Sequence, residues 1–223
     1  MALVVVGGHA RSVGKTSVVA GLIAALPEMR WTAVKITQYG HGICSADGAA
    51  CDCATGDHAW AITEEHDRSG ESDSSRFLVA GAARSWWVRT RQGMLAEAMP
   101  ALRERLSGNV IVESNAVMKF LRPDVYLTVL NFGNADFKRS ALEFLDRASA
   151  VLLHQSAVPA GLAPVQHQTP GTNVPGYELP EWDGVSLKLM EGKPVFRIQP
   201  PEYVTPEVVK FVRNIVARAK ERI

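Results

Sequence analysis

Residues 7–17, GGHARSVGKTS, limit what this chain can fold into more than any other stretch. They lie between the β-branched run 3–6 and the apolar, helix-compatible run 17–26, which Pro27 stops. A glycine-rich turn ending in Gly14-Lys15-Thr16, with a strand before it and a helix after it, reads as a phosphate-binding loop. Its glycines let backbone N–H groups turn toward an anion, Lys15 neutralises the outer phosphates, and the Thr16 hydroxyl is offered to Mg²⁺. Five residues separate Gly8 from Gly14, so the loop is one residue longer than the common form. Gly8, Arg11, Val13, Gly14, Lys15, Thr16 and Ser17 are the candidate nucleotide-binding set.

The alternation that this loop begins continues along the chain. Residues 31–37 (WTAVKIT), 85–90 (SWWVRT), 109–113 (NVIVE), 125–130 (VYLTVL) and 150–154 (AVLLH) read as strands. Residues 94–106 carry a helical apolar stripe that Pro100 should bend or restart, and residues 137–148 predict a further helix. Ser72 or Asp73 is placed to cap a helix running to about residue 83. Trp86 and Trp87 point to opposite sides of their strand, so both sheet faces must be covered. Strands alternating with helices of this length predict an α/β, doubly wound, mostly parallel sheet with the P-loop NTPase fold. Residues 185–189 and 194–198 flank Glu191-Gly192-Lys193 and predict a hairpin. Thr205-Pro206-Glu207 opens a last helix with cap residue, first-turn proline and acid in their usual places. The 223 residues suit a single domain with a Cys/His-rich insertion at 41–66 and a Pro-rich loop at 156–184.

Four features carry chemistry beyond the loop. Glu113 ends an apolar strand where P-loop proteins keep the acid that holds Mg²⁺ or its water. Asp73 is either a helix cap or a carboxylate that reaches Mg²⁺ through water. Lys35 lies within the second strand, and its stem can pack along the sheet edge with its ammonium in water. Cys44, Cys51 and Cys53, with His41 or His58, can supply the four ligands of a tetrahedral zinc site, or less commonly an iron–sulfur site. The plainer alternative is that these cysteines are small buried hydrophobes.

With 24 basic and 23 acidic residues the net charge is +1, so no overall field draws in nucleic acid or an anionic membrane. The apolar start is too short for a signal-peptide core and no later stretch approaches a membrane span, which predicts a cytoplasmic protein.

The long loop with valine before Gly-Lys-Thr resembles that of dethiobiotin synthetase and its relatives. The block at 67–90, with Asp67, Gly70, Asp73, Ser74, Arg76 and Ala80-Gly81-Ala82, resembles the corresponding segment of the molybdopterin-guanine dinucleotide biosynthesis protein B family. The order of strands and motifs extends that resemblance over residues 1–155. It implies Mg²⁺-dependent binding and hydrolysis of ATP or GTP, in the service of cofactor biosynthesis. Lys15, Lys35, Glu113 and Asp73 would be the catalytic set, and Thr16 and Glu113 the Mg²⁺ ligands. In the dethiobiotin group a lysine near the end of the second strand approaches the phosphates or the substrate, which gives Lys35 that role; Arg11 would add positive charge. Both families usually place glycine after the strand-end glutamate, where this chain has Ser114-Asn115. Two other functions stay open: a nucleotide-gated adaptor or metal carrier that recruits a partner enzyme, and an ATP-dependent ligase of the dethiobiotin type. A homodimer is compatible with either. No Asn-Lys-x-Asp motif follows residues 150–154, so the base is left unspecified.

Overall fold

A computed structural model describes residues 1–39, 59–154 and 185–220. Eight strands form one sheet: β1 (Leu3–Gly8), β2 (Thr32–Tyr39), β3 (Trp60–Glu64), β4 (Arg84–Arg91), β5 (Val110–Glu113), β6 (Val125–Leu130), β7 (Ala150–His154) and β8 (Val195–Ile198). Their order is β3-β4-β2-β5-β1-β6-β7-β8. All neighbours are parallel except β3 and β4. The helices are α1 (Lys15–Ala25), α2 (Asp73–Val79), α3 (Leu95–Arg103), α4 (Arg139–Leu142) and α5 (Pro206–Lys220).

The β-branched strands alternate their side chains between two layers, as a sheet buried on both faces requires. Val4 and Val6 of β1 join Val18, Val19, Leu22 and Ile23 of α1, Phe77 of α2 and Val208, Val212 and Val216 of α5. Leu3 and Val5 face the other way, toward Leu95, Ala98, Met99 and Leu102 of α3. β1 is flanked by β5 on one side and β6 on the other, so the chain reverses its winding across β1. The loop leaving the carboxyl end of β1 therefore opens at the point where sheets of this kind place ligands.

Helix α2 shows how sequence sets these boundaries. The Ser75 N–H donates to the Ser72 hydroxyl at 3.0 Å, so Ser72 is the cap and Asp73 is released into the first turn. The helix ends at Val79 rather than near residue 83. Gly81 turns left-handed at φ 103°, and the Ala82 N–H reaches back to the Phe77 carbonyl at 3.0 Å. Replacing Ser72 with alanine is expected to cost about 1 kcal/mol of stability in a denaturant titration.

Four other expectations need correction. Within the segment read as an irregular insertion, residues 60–64 form β3, an antiparallel edge strand on β4. Its alternation is weak in sequence because an edge strand has little to bury; Trp60 itself is 37% exposed. Helix α3 passes through Pro100 without restarting, so of the two outcomes expected there the restart is overturned. The helix expected over 137–148 is only α4 followed by a 3₁₀ turn at Leu145–Arg147. Lys138 stays extended because its N–H is already used by the His9 carbonyl at 2.7 Å, and Phe144 breaks the helical path. The expected hairpin is a 3₁₀ turn at Leu187–Met190 followed by β8, which pairs parallel with the free edge of β7. No helix among the described residues is long and apolar enough to cross a membrane.

Candidate functional site

Residues 9–14 form the loop between β1 and α1. Gly14 adopts φ 88° and ψ 13°, a left-handed conformation that glycine takes without steric cost, and no side chain caps the helix that it opens. The first N–H groups of α1 thus lack the capping partner that a helix start commonly has, the arrangement that suits an anion. Lys15 folds back so that its Nζ donates to the Ala10 carbonyl at 2.8 Å. Burial is the main cause that lowers its pKa to about 8; Glu113 opposes the shift, while Lys138 and Lys35 add to it. Val13 is buried, Arg11 is exposed, and Ser17 accepts a hydrogen bond from Arg76 Nη2 at 3.2 Å.

Beneath the loop lies a cluster whose members come from four elements. The register of the parallel sheet sets Lys35 of β2 opposite Glu113 of β5, and Glu113 opposite Val6 of β1. Lys35 and Glu113 share the face covered by α1, since Val34, Ile36 and Val112 all pack on the opposite one. The Thr16 hydroxyl, on the first turn of α1, donates to Glu113 Oε2 at 2.8 Å. Lys35 Nζ lies 2.5 Å from Glu113 Oε1 and 2.6 Å from Asp73 Oδ2. Burial alone would lower the Lys35 pKa, but the two carboxylates outweigh it and the net direction is upward. Asp73 shows the mirror effect: burial would raise its pKa, and hydrogen bonds from Lys35 and Thr16 bring it below the usual carboxylate range.

The structure adds residues that sequence reasoning did not select. Asn115 holds both backbone polar groups of Gly8, accepting from its N–H at 2.9 Å and donating to its carbonyl at 2.8 Å. This explains why Gly7 is glycine: a Cβ there would sit 2.7 Å from the Tyr126 hydroxyl and closer still to Asn115 Oδ1. The only signal of Asn115 in the sequence was its place two residues beyond Glu113, where the resembling families have a different pattern. Replacing Asn115 with alanine leaves the buried Gly8 N–H and carbonyl without this partner. It is expected to cost about 2 kcal/mol in a denaturant titration and to weaken nucleotide binding through the displaced loop.

Lys138 reaches the same loop from the segment after β6, and burial, with Arg11 and Lys35 nearby, holds its pKa low. At the other end of the loop His154 Nε2 donates to the Val13 carbonyl at 2.8 Å. The Tyr203 ring packs on Gly14, whose missing Cβ makes room for it. A groove of about 360 Å³ beside the loop is lined by Ser17, Gly21, Arg76, Tyr203 and Val204 among others; Lys15, Lys35 and Glu113 lie outside its lining.

The oxygens of Thr16, Glu113 and Asp73 are hard donors converging on one spot, a set that fits Mg²⁺. Cys44, Cys51, Cys53, His41 and His58, and the Pro-rich loop at 156–184, lie outside the described residues. Among the described residues no group of three or more His, Cys, Asp or Glu side chains is placed to hold a metal ion.

A phosphate loop at the switch point of a doubly wound sheet, with an acid ending the adjacent parallel strand, defines the P-loop NTPase fold. No family model and no curated protein matches the sequence. Solved structures similar to it include the following two. The "apo" form of LpxK from Aquifex aeolicus in complex with ATP is 19% identical, with a TM-score of 0.45, over 88% of this chain and 53% of that one. This chain therefore spans about half of that chain's length. HypB from Helicobacter pylori in complex with nickel is 13% identical, with a TM-score of 0.44, over 98% of this chain and 87% of that one.

Proposed function

We propose that the chain binds a nucleoside triphosphate with Mg²⁺ and hydrolyses it at the loop of residues 8–17. The observation that carries this reading is the Thr16 hydroxyl hydrogen-bonded to Glu113, directly after a loop whose lysine, among the described residues, has only a backbone carbonyl as hydrogen-bond partner. The N–H groups at the start of α1 would bind the inner phosphates. Lys15 would leave Ala10 for the outer ones, exchanging a neutral acceptor for anionic oxygens. Thr16 and Glu113 would hold Mg²⁺, with Asp73 beside them; when bound, that ion neutralises charge on the β- and γ-phosphates. In-line attack of water on the γ-phosphorus breaks the bond to the β–γ bridging oxygen and releases diphosphate nucleotide and inorganic phosphate. Such a step needs positioning and charge neutralisation more than covalent chemistry, and Lys15, Lys35 and Lys138 supply positive charge around it.

The resemblance of residues 67–90 to the molybdopterin-guanine dinucleotide biosynthesis protein B family supports a place for this hydrolysis in cofactor assembly, alongside a partner enzyme. The test is inorganic phosphate release from ATP, GTP, CTP and UTP with Mg²⁺ and with excess EDTA. Release that requires Mg²⁺ and prefers ATP or GTP is the expected result. Release no faster than the protein-free blank with every nucleotide would remove hydrolysis from the account.

A further inference from the structure

We propose that Lys35 is the resident cation of this site, holding the seat between Glu113 and Asp73 that a divalent ion needs, so that Mg²⁺ enters only together with nucleotide. The inference rests on the triphosphate reading above and adds to it the order in which the ligands can load.

The geometry makes the two cations compete for the same carboxylates. Lys35 Nζ is 2.5 Å from Glu113 Oε1 and 2.6 Å from Asp73 Oδ2, and Thr16 Oγ1 is bonded to the second oxygen of Glu113. An Mg²⁺ ion would need oxygens at about 2.0–2.1 Å with little tolerance, and two of those on offer, Glu113 Oε1 and Asp73 Oδ2, are already held by the ammonium. The seat is also well enclosed: the side chain of Glu113 is 3% exposed and that of Lys35 15%. A carboxylate so deeply placed requires a cation, and among the described residues Lys35 is the one in contact with it.

Sheet register fixes this arrangement, because Lys35 and Glu113 are direct partners across β2 and β5. The four-carbon stem nevertheless lets the ammonium move without moving the strand. Free Mg²⁺ offers Lys35 no new partner, and the ammonium would have to leave two carboxylates for nothing in return. Triphosphate oxygens arriving at Lys15 offer it anionic acceptors close by, so nucleotide and divalent ion load cooperatively.

Mn²⁺, a paramagnetic probe for Mg²⁺, tests this directly. Its binding to the full chain is followed by electron paramagnetic resonance without nucleotide. Wild type and Lys35→Arg are expected to bind Mn²⁺ weakly, and Lys35→Met to bind it about tenfold more tightly or better, because a competing unit charge has been removed. The double variant Lys35→Met with Asp73→Asn should lose part of that gain. A folded Lys35→Met protein with Mn²⁺ affinity no higher than wild type would overturn the proposal. Where Lys35→Met does not fold, the wild-type Lys35 ammonium resonance gives the answer by nuclear magnetic resonance. It should be unmoved by MgCl₂ alone and shifted by MgCl₂ with a non-hydrolysable triphosphate; displacement by MgCl₂ alone would overturn the proposal equally. Failure of wild type to bind any nucleotide would sink the triphosphate reading while leaving the nucleotide-free Mn²⁺ comparison intact.

Discussion

Replacing Lys15 with alanine is expected to lower nucleoside triphosphate affinity by about a hundredfold or more while the protein stays folded. Among the described residues Lys15 Nζ is held by a neutral carbonyl alone, and it lies in a site where burial depresses its pKa to about 8. Its charge is therefore a cost to the empty protein, and phosphate oxygens are the partners that would repay it. The same fact fixes the pH dependence of stability. The folded-state pKa lies below the unfolded value of 10.5, so the group destabilises the native state when protonated. Between about pH 8 and 10.5 the unfolded chain binds more protons than the native one, and this contribution to stability rises with pH by at most about 3 kcal/mol. Denaturant titrations across that window should show a rise in wild type that is missing in Lys15→Ala. Equal affinity of the two proteins for nucleotide would remove Lys15 from the binding site.

Glu113→Gln is the second large effect. Its side chain is 3% exposed and carries the ion pair with Lys35, so removing the charge leaves Lys35, among the described residues, with the ion pair to Asp73, which is 41% exposed. Breaking a buried pair in this way is expected to cost about 3 kcal/mol of stability. Mg²⁺-dependent phosphate release at saturating nucleotide should fall by about a hundredfold or more, since the ion that would neutralise charge on the phosphates loses its carboxylate ligand. A variant as stable as wild type, with unaltered phosphate release, would show that Glu113 merely fills space at a strand end.

The parts legible in sequence were those governed by local rules. Short β-branched runs between helix-compatible segments marked six of the eight strands and the two-sided sheet, because a strand buried on both faces has almost no other composition available. The loop glycines, Thr16, Asp73 and Glu113 were each conspicuous by residue type at a strand or helix end, and Lys35 by its charge inside a strand. Their convergence was not, since it depends on β5 lying between β1 and β2, a fact of topology. Lys35 had two readings until the register set it opposite Glu113. Asn115 and Lys138 escaped because they act on the loop through backbone groups of Gly8 and His9, which no side-chain pattern announces. The shortened α4 follows from the same contact: the Lys138 N–H serves the loop. β3 was misjudged as loop because an edge strand buries too little to impose alternation, whereas 194–198 was read as the strand that β8 is and only its expected partner at 185–189 was wrong.

Calorimetric titration of the wild-type protein with ATP and with GTP, each with Mg²⁺ and with EDTA, tests the central claim most directly. The account predicts one triphosphate bound per chain in Mg²⁺, weakened by EDTA and lost in Lys15→Ala. Absence of binding for both nucleotides, or binding indifferent to Mg²⁺ and to Lys15, would contradict it.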